Sequence, residues 1–110
     1  MRKFKDAFHG LSLALKHRAV LVQVFLGVLA VIGGIIIRLD HQEWLAFILS
    51  ISFVIAMEIM NTAVERVGDY LSPSYDDKIK VIKDLSAAAV LVSALGAFAV
   101  CVCCLLRRIG

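Results

Sequence analysis

Residues 44–69 read WLAFILSISFVIAMEIMNTAVERVGD, an apolar run that ends in acidic and amide side chains. On a helix that advances about 100° per residue, Glu58, Glu65 and Asp69 fall within roughly 40° of one another. Asn61 lies one step to the side. A carboxylate next to hydrocarbon costs about 3 kcal/mol or more unless it is paired, hydrated or bound to metal. This acidic stripe therefore predicts a functional site at the end of a membrane span, although Asp69 also suits a solvated helix end.

The composition is that of an integral membrane protein. The chain has 110 residues, 61% of them hydrophobic, which is too apolar for a soluble domain of this size and too short for two domains. Two apolar runs reach the length of about 20 residues that a bilayer requires, and a third continues into the acidic stripe. We therefore predict one all-α membrane domain, residues 1–110, with spans at about 19–37, 44–65 and 84–106.

The segment before the first span predicts an amphipathic helix over residues 3–16. Its two faces are apolar and polar, respectively: Phe4, Phe8, Leu11 and Leu15 against Lys5, His9, Ser12 and Lys16. Helices with this pattern lie in the plane of the membrane surface.

The distribution of Lys and Arg predicts the orientation. Basic residues precede the first span and occur again between the second and third, whereas residues 38–43 carry one. By the positive-inside rule the N-terminus is cytoplasmic and the C-terminus is outside, with Arg107 and Arg108 as a weaker counter-signal. The basic start lacks a small-x-small cleavage site, so we expect it to be retained. This bias also explains the net charge of +3, and no nucleic-acid partner is predicted.

The loop between the second and third spans brings further polar residues to the level of the stripe. Pro73 breaks the helix, and Ser74 is the predicted N-cap of the next one. Lys83 and Asp84 then follow at the membrane edge of the third span. A cation and an acid beside carboxylates suit a metal-bound phosphate, and an exposed ion pair is the equal alternative on spacing alone.

The size of the chain predicts an oligomer. Three helices bury little apolar surface on their own, and small residues such as Gly27, Gly33 and Gly34 allow helices to approach closely. No Gly-x-x-x-x-Gly-Lys-Ser/Thr loop or Gly-x-Gly-x-x-Gly turn occurs, so any nucleotide is bound by another construction.

One long pattern unites these residues: Glu58-x-x-Asn61-Thr62-Ala63-Val64-Glu65-x-x-x-Asp69, followed by Lys83-Asp84 and Ala87-Ala88-Ala89-Val90. With this pattern the chain resembles the prokaryotic diacylglycerol kinase family, whose Gram-positive branch phosphorylates undecaprenol. The resemblance extends over nearly the whole chain.

The resemblance implies an ATP-dependent lipid kinase of the bacterial cytoplasmic (inner) membrane, a homotrimer whose active sites are shared between subunits. Glu58 matches the catalytic glutamate, which takes or orients the proton of the lipid hydroxyl as it attacks the γ-phosphate. Glu65 matches a glutamate that binds Mg²⁺ with the ATP phosphates. The residues that match nucleotide-binding positions are Asn61, Asp69, Lys83 and Asp84.

One position departs from the family pattern. The family places a second metal-binding glutamate at the start of the first span, where this chain has His17, and no carboxylate occurs from Ala7 to Leu39. Mg²⁺ prefers oxygen ligands, whereas histidine suits Mn²⁺ or Zn²⁺ better. Two interpretations therefore stay open: a kinase acting on diacylglycerol or undecaprenol, and a non-catalytic or metal-altered relative, a small membrane subunit with intramembrane carboxylates.

Overall fold

The computed structural model describes residues 2–72, 74 and 76–109, which form four helices. These are α1 (Arg2–Ala14), α2 (Arg18–Ile37), α3 (His41–Leu71) and α4 (Asp77–Ile109). α2, α3 and α4 are each long and apolar enough to cross a membrane. The large apolar side chains of α1, such as Phe4, Phe8 and Leu11, stay exposed, as a helix lying on a membrane surface requires. The predicted class is confirmed: an all-α membrane protein with one surface helix and three spans.

The helices differ from the predicted segments at their ends. α1 ends at Ala14 rather than at residue 16, because the N–H groups of Lys16 and His17 bond to carbonyls only three residues back. α3 and α4 are longer than the predicted spans 44–65 and 84–106, since polar residues at their ends continue the helix.

The start of α4 corrects the predicted cap. Asp76, not Ser74, is the capping residue: its Oδ1 accepts two backbone N–H groups of the first turn, at 2.8 and 3.3 Å. Ser74 instead offers its carbonyl oxygen to the hydroxyl of Ser72, at 2.7 Å. A carboxylate adjacent to the first turn satisfies N–H groups that would otherwise lack a partner. The predicted helix breaker, Pro73, lies outside the described residues.

α3 is the central helix and packs against both α2 and α4. A glycine permits the close approach on each side. A Cβ atom at Gly27 would lie 2.8 Å from Ile51 Cγ2, and one at Gly68 would lie 2.9 Å from Lys83 Cε. Gly33 faces open space, so only some of the predicted small residues mediate packing within the chain.

The end of the bundle opposite α1, which we call the far end, is closed by Arg108. Its guanidinium donates to the carbonyls of Ile37 and Arg38 at 3.1 and 2.7 Å. It also donates to Glu43 Oε2 at 2.8 Å. Glu43 completes a capping box with Asp40 at the start of α3. One arginine therefore joins the ends of α2, α3 and α4, and it satisfies carbonyls that the end of α2 leaves free.

Candidate active site

The acidic stripe lies at the end of the bundle that carries α1, which we call the site end. Glu58 and Asn61 are buried, with 7% and 8% of their surface exposed, whereas Glu65 and Asp69 are exposed. The stripe faces the first turns of α4, as its hydrogen bonds show. It therefore runs from the interior of the bundle to its open end.

Asn61 connects the stripe to α4. Its Nδ2 donates to Glu65 Oε1 at 3.0 Å, and its Oδ1 accepts from the hydroxyl of Ser86 at 2.7 Å. These two bonds hold the Glu65 carboxylate in one orientation and leave its second oxygen open. Ser86 is a site residue that the sequence analysis missed. The available signal was a hydroxyl in an otherwise apolar part of α4, two residues after Asp84.

Glu58 is a buried carboxylate without a partner. Among the described residues no donor contacts its side chain. The only side chain that bonds to this residue is that of Thr62, whose hydroxyl donates to the Glu58 backbone carbonyl at 3.0 Å. No fully buried side-chain oxygen in that part lacks a partner, so the Glu58 carboxylate must keep an open edge. It is thus free to accept a proton or an incoming hydroxyl group.

Lys83 and Asp69 meet at the exposed end of the stripe. Lys83 Nζ lies 2.6 Å from Asp69 Oδ1, and its aliphatic stem crosses Gly68. Asp84 instead pairs with Lys80 on its own helix, at 2.6 Å. Exposed ion pairs of this kind contribute little to stability, so a charged ligand can exchange for them at small cost.

His17 meets a different face of α3. Its Nε2 lies 3.3 Å from Arg66 Nη2, and both residues line a cleft of about 510 Å³ between α1 and α3. Arg66 follows Glu65 in sequence but points roughly 100° away around the helix. Among the residues that the structure describes, no three His, Cys, Asp or Glu side chains are grouped so as to hold a metal ion.

The two predicted metal positions differ in how well they suit Mg²⁺. Mg²⁺ is commonly bound through one or two carboxylates together with waters and substrate phosphates, and the exposed, half-occupied carboxylate of Glu65 fits that role. His17 offers nitrogen rather than oxygen, and a guanidinium lies against it. The residues present therefore fit a metal that arrives with a nucleotide at Glu65, and they do not fit one at His17.

Three spans, a surface helix and a carboxylate stripe at one membrane boundary define a small membrane-embedded helical protein with an interfacial polar site. The sequence pattern of the family described as prokaryotic diacylglycerol kinase matches residues 5–105. The chain belongs to this family, and the predicted resemblance is confirmed.

Two curated relatives carry kinase names. The chain is 32% identical over 105 residues to a diacylglycerol kinase of Synechocystis sp. (strain ATCC 27184 / PCC 6803 / Kazusa), covering 94% of this chain and 60% of that protein. It is 33% identical over 64 residues to an undecaprenol kinase of Bacillus subtilis (strain 168), covering 58% of this chain and 52% of that protein. The matched regions thus span little more than half the length of these relatives.

Proposed function

We propose that this chain is an ATP-dependent kinase that phosphorylates a membrane lipid alcohol, either diacylglycerol or undecaprenol. The observation that carries the proposal is Glu58, a buried carboxylate at the end of a membrane span that no side chain of the described residues pairs with. Membership of the family and the names of both relatives support the same reaction class.

Glu58 is the proposed general base. A lipid hydroxyl at the membrane boundary donates a hydrogen bond to its carboxylate, which takes the proton as the oxygen attacks the γ-phosphorus. The new O–P bond forms while the bond to the oxygen of the ADP leaving group breaks. With only 7% of its surface exposed, Glu58 offers little access to water, which would otherwise compete as the acceptor.

Glu65 is the proposed ligand for Mg²⁺ that enters with ATP. Bound Mg²⁺ would neutralise negative charge on the phosphates. Asn61, itself held by Ser86, keeps one Glu65 oxygen occupied so that the other points away from the bond. Asn61 thus belongs to the proposed nucleotide site, and part of its role is to orient the Glu65 carboxylate.

Lys83, Asp69 and Asp84 are the proposed nucleotide-binding residues of α4 and the end of α3. The Lys83 ammonium can leave Asp69 for a phosphate oxygen, because their pair is exposed. Asp84 would contact the nucleotide only after it releases Lys80.

We propose a homotrimer in the bacterial cytoplasmic membrane, with active sites shared between subunits. Only 17, 22 and 11% of the most apolar windows of α2, α3 and α4 are buried within the chain. An open apolar cleft of about 350 Å³ between the three spans, lined by Gly27, Phe47 and Ala97 among others, leaves room for side chains of another copy. Because ATP is cytoplasmic, the site end and the N-terminus face inward and the far end faces outward.

A second candidate function is that of a metal-altered or non-catalytic relative of the kinases. It is suggested by His17, which stands where the family pattern has a metal-binding glutamate. Transfer of radiolabelled phosphate from ATP separates the two. The purified chain is assayed in detergent with Mg²⁺, with diacylglycerol and undecaprenol offered side by side and Glu58→Gln as the matched control. If the parent chain labels one of the two lipids and Glu58→Gln labels neither, the result supports the proposed kinase. No labelling of either lipid excludes both proposed substrates and favours the second candidate.

A further inference from the structure

In the contact between His17 and Arg66, only Arg66 can be the hydrogen-bond donor. A guanidinium has five N–H donors and no acceptor, and it does not lose its proton in proteins. At 3.3 Å from Arg66 Nη2, His17 Nε2 must therefore be the acceptor. The neutral ring then carries its proton on Nδ1. Neither ring nitrogen has a lone pair left for a metal ion, and a fixed positive charge lies beside the ring.

Arg66 itself is exposed and has donors to spare. One guanidinium nitrogen is directed at His17, and no carboxylate of the described residues pairs with Arg66. The cleft that Arg66 and His17 line has no acidic side chain among its lining residues. Arg107 and Arg108 at the far end, by contrast, each pair with an acid. Arg66, the residue after Glu65, is thus held in place by His17 and has no counter-ion among the described residues.

We infer that Arg66, oriented by His17, is an anion-binding residue that contacts a phosphate group in place of a second metal ion. The planar fork of arginine matches phosphate oxygens and supplies the positive charge that a metal would supply. His17 is a positioning residue, since it acts through Arg66. The inference rests on the proposed function only in assigning that phosphate to ATP, because phosphate binding can be measured without lipid or transfer.

The first test measures binding of tripolyphosphate to the full chain in neutral detergent, with EDTA present to remove metal. Arg66→Gln should weaken binding about tenfold or more, the usual cost of losing a charge-assisted hydrogen bond. The matched control is Arg18→Gln, which removes an exposed arginine next to His17 that does not contact it; its affinity should stay within about twofold of the parent. Unmeasurable binding by the parent, or equal losses in both variants, would overturn the inference.

Two His17 variants test the positioning role. His17→Ala removes the acceptor and should weaken tripolyphosphate binding, whereas His17→Gln offers an amide oxygen to Arg66 and should restore most of it. Equal affinities of the two variants would contradict positioning by hydrogen bonding.

Electron paramagnetic resonance of bound Mn²⁺ tests whether His17 is a ligand. With a non-hydrolysable ATP analogue present, His17→Ala should bind as many Mn²⁺ ions per chain as the parent. A lower number would make His17 a metal ligand and overturn the inference. Neither measurement involves a lipid, so a chain that binds phosphate through Arg66 but transfers none refutes the proposed kinase alone.

Discussion

α3 carries two buried glutamates, one in its first turn and one just past its midpoint, and their side chains differ in the partners they have. Glu43 is 4% exposed and Glu58 is 7% exposed. Glu43 accepts from Arg108 at 2.8 Å and from the backbone N–H of Asp40 at 3.0 Å. The Glu58 carboxylate has no partner among the described residues. The Glu43 carboxylate therefore contributes hydrogen bonds to the fold, whereas the Glu58 carboxylate contributes none among the described residues.

The difference follows from what surrounds each residue. At the far end, Glu43 accepts from Arg108 Nη1 and from the backbone N–H of Asp40, so removing that carboxylate deprives both donors of their acceptor. At the site end no described side chain bonds to the Glu58 carboxylate, and a charge near hydrocarbon is a cost to the fold. The proposed role in chemistry gives a reason for a carboxylate at this position.

The largest expected effect is on turnover. Glu58→Gln should reduce lipid phosphorylation by about 10²–10⁴, the usual contribution of a general base, because the amide cannot take the hydroxyl proton. Rates are measured with saturating ATP and lipid. Turnover close to that of the parent would show that Glu58 is not the general base. The burial of Glu58 would then have no functional explanation.

The next effect is on metal dependence. Glu65→Gln should raise the Mg²⁺ concentration needed for half-maximal transfer by about tenfold or more, and Asn61→Ala should raise it less, as loss of a group that orients a ligand does. Titration of activity with Mg²⁺ measures both. If the Glu65→Gln curve overlays that of the parent, Glu65 is not the ligand.

The far end provides a test of stability. Arg108→Ala should lower the thermal unfolding midpoint because it removes the 2.8 Å ion pair of the buried Glu43 and leaves only the 3.7 Å contact with Arg107. Arg107→Ala is the matched control, since Arg107 is 59% exposed and its pairs are longer. Equal shifts in the two variants would show that the far end does not depend on the Arg108 clamp.

The smallest expected effect is that of Lys83→Met. Its pair with Asp69 is exposed, so the unfolding midpoint should change little. The KM for ATP should rise while kcat stays nearly constant, if Lys83 binds the phosphates equally in the ground and transition states. An unchanged KM would leave Lys83 as a surface ion pair only.

Much of the fold followed from hydrophobicity and periodicity. The three spans contain long apolar runs, and α1 has one apolar and one polar face. Helix ends were less predictable, as the cap at Asp76 rather than Ser74 illustrates, because several residues near a proline can cap the same turn.

The contacts between helices were not predictable from the sequence. Arg108 and Glu43 are 65 residues apart, and His17 and Arg66 are 49 apart, so no local spacing indicates either contact. The stripe from Glu58 to Asp69 was predictable because its residues share one face of one helix. Ser86 was not, since its role depends on how α4 packs against that face.

Thermal unfolding of two matched variants tests directly whether Glu58 is buried for chemistry rather than for the fold. Glu43→Gln and Glu58→Gln make the same isosteric change on the same helix. We expect Glu43→Gln to unfold at a lower temperature than the parent, and Glu58→Gln to unfold at the parent temperature or above it. A fall in the midpoint of Glu58→Gln as large as that of Glu43→Gln would show that the Glu58 carboxylate stabilises the fold.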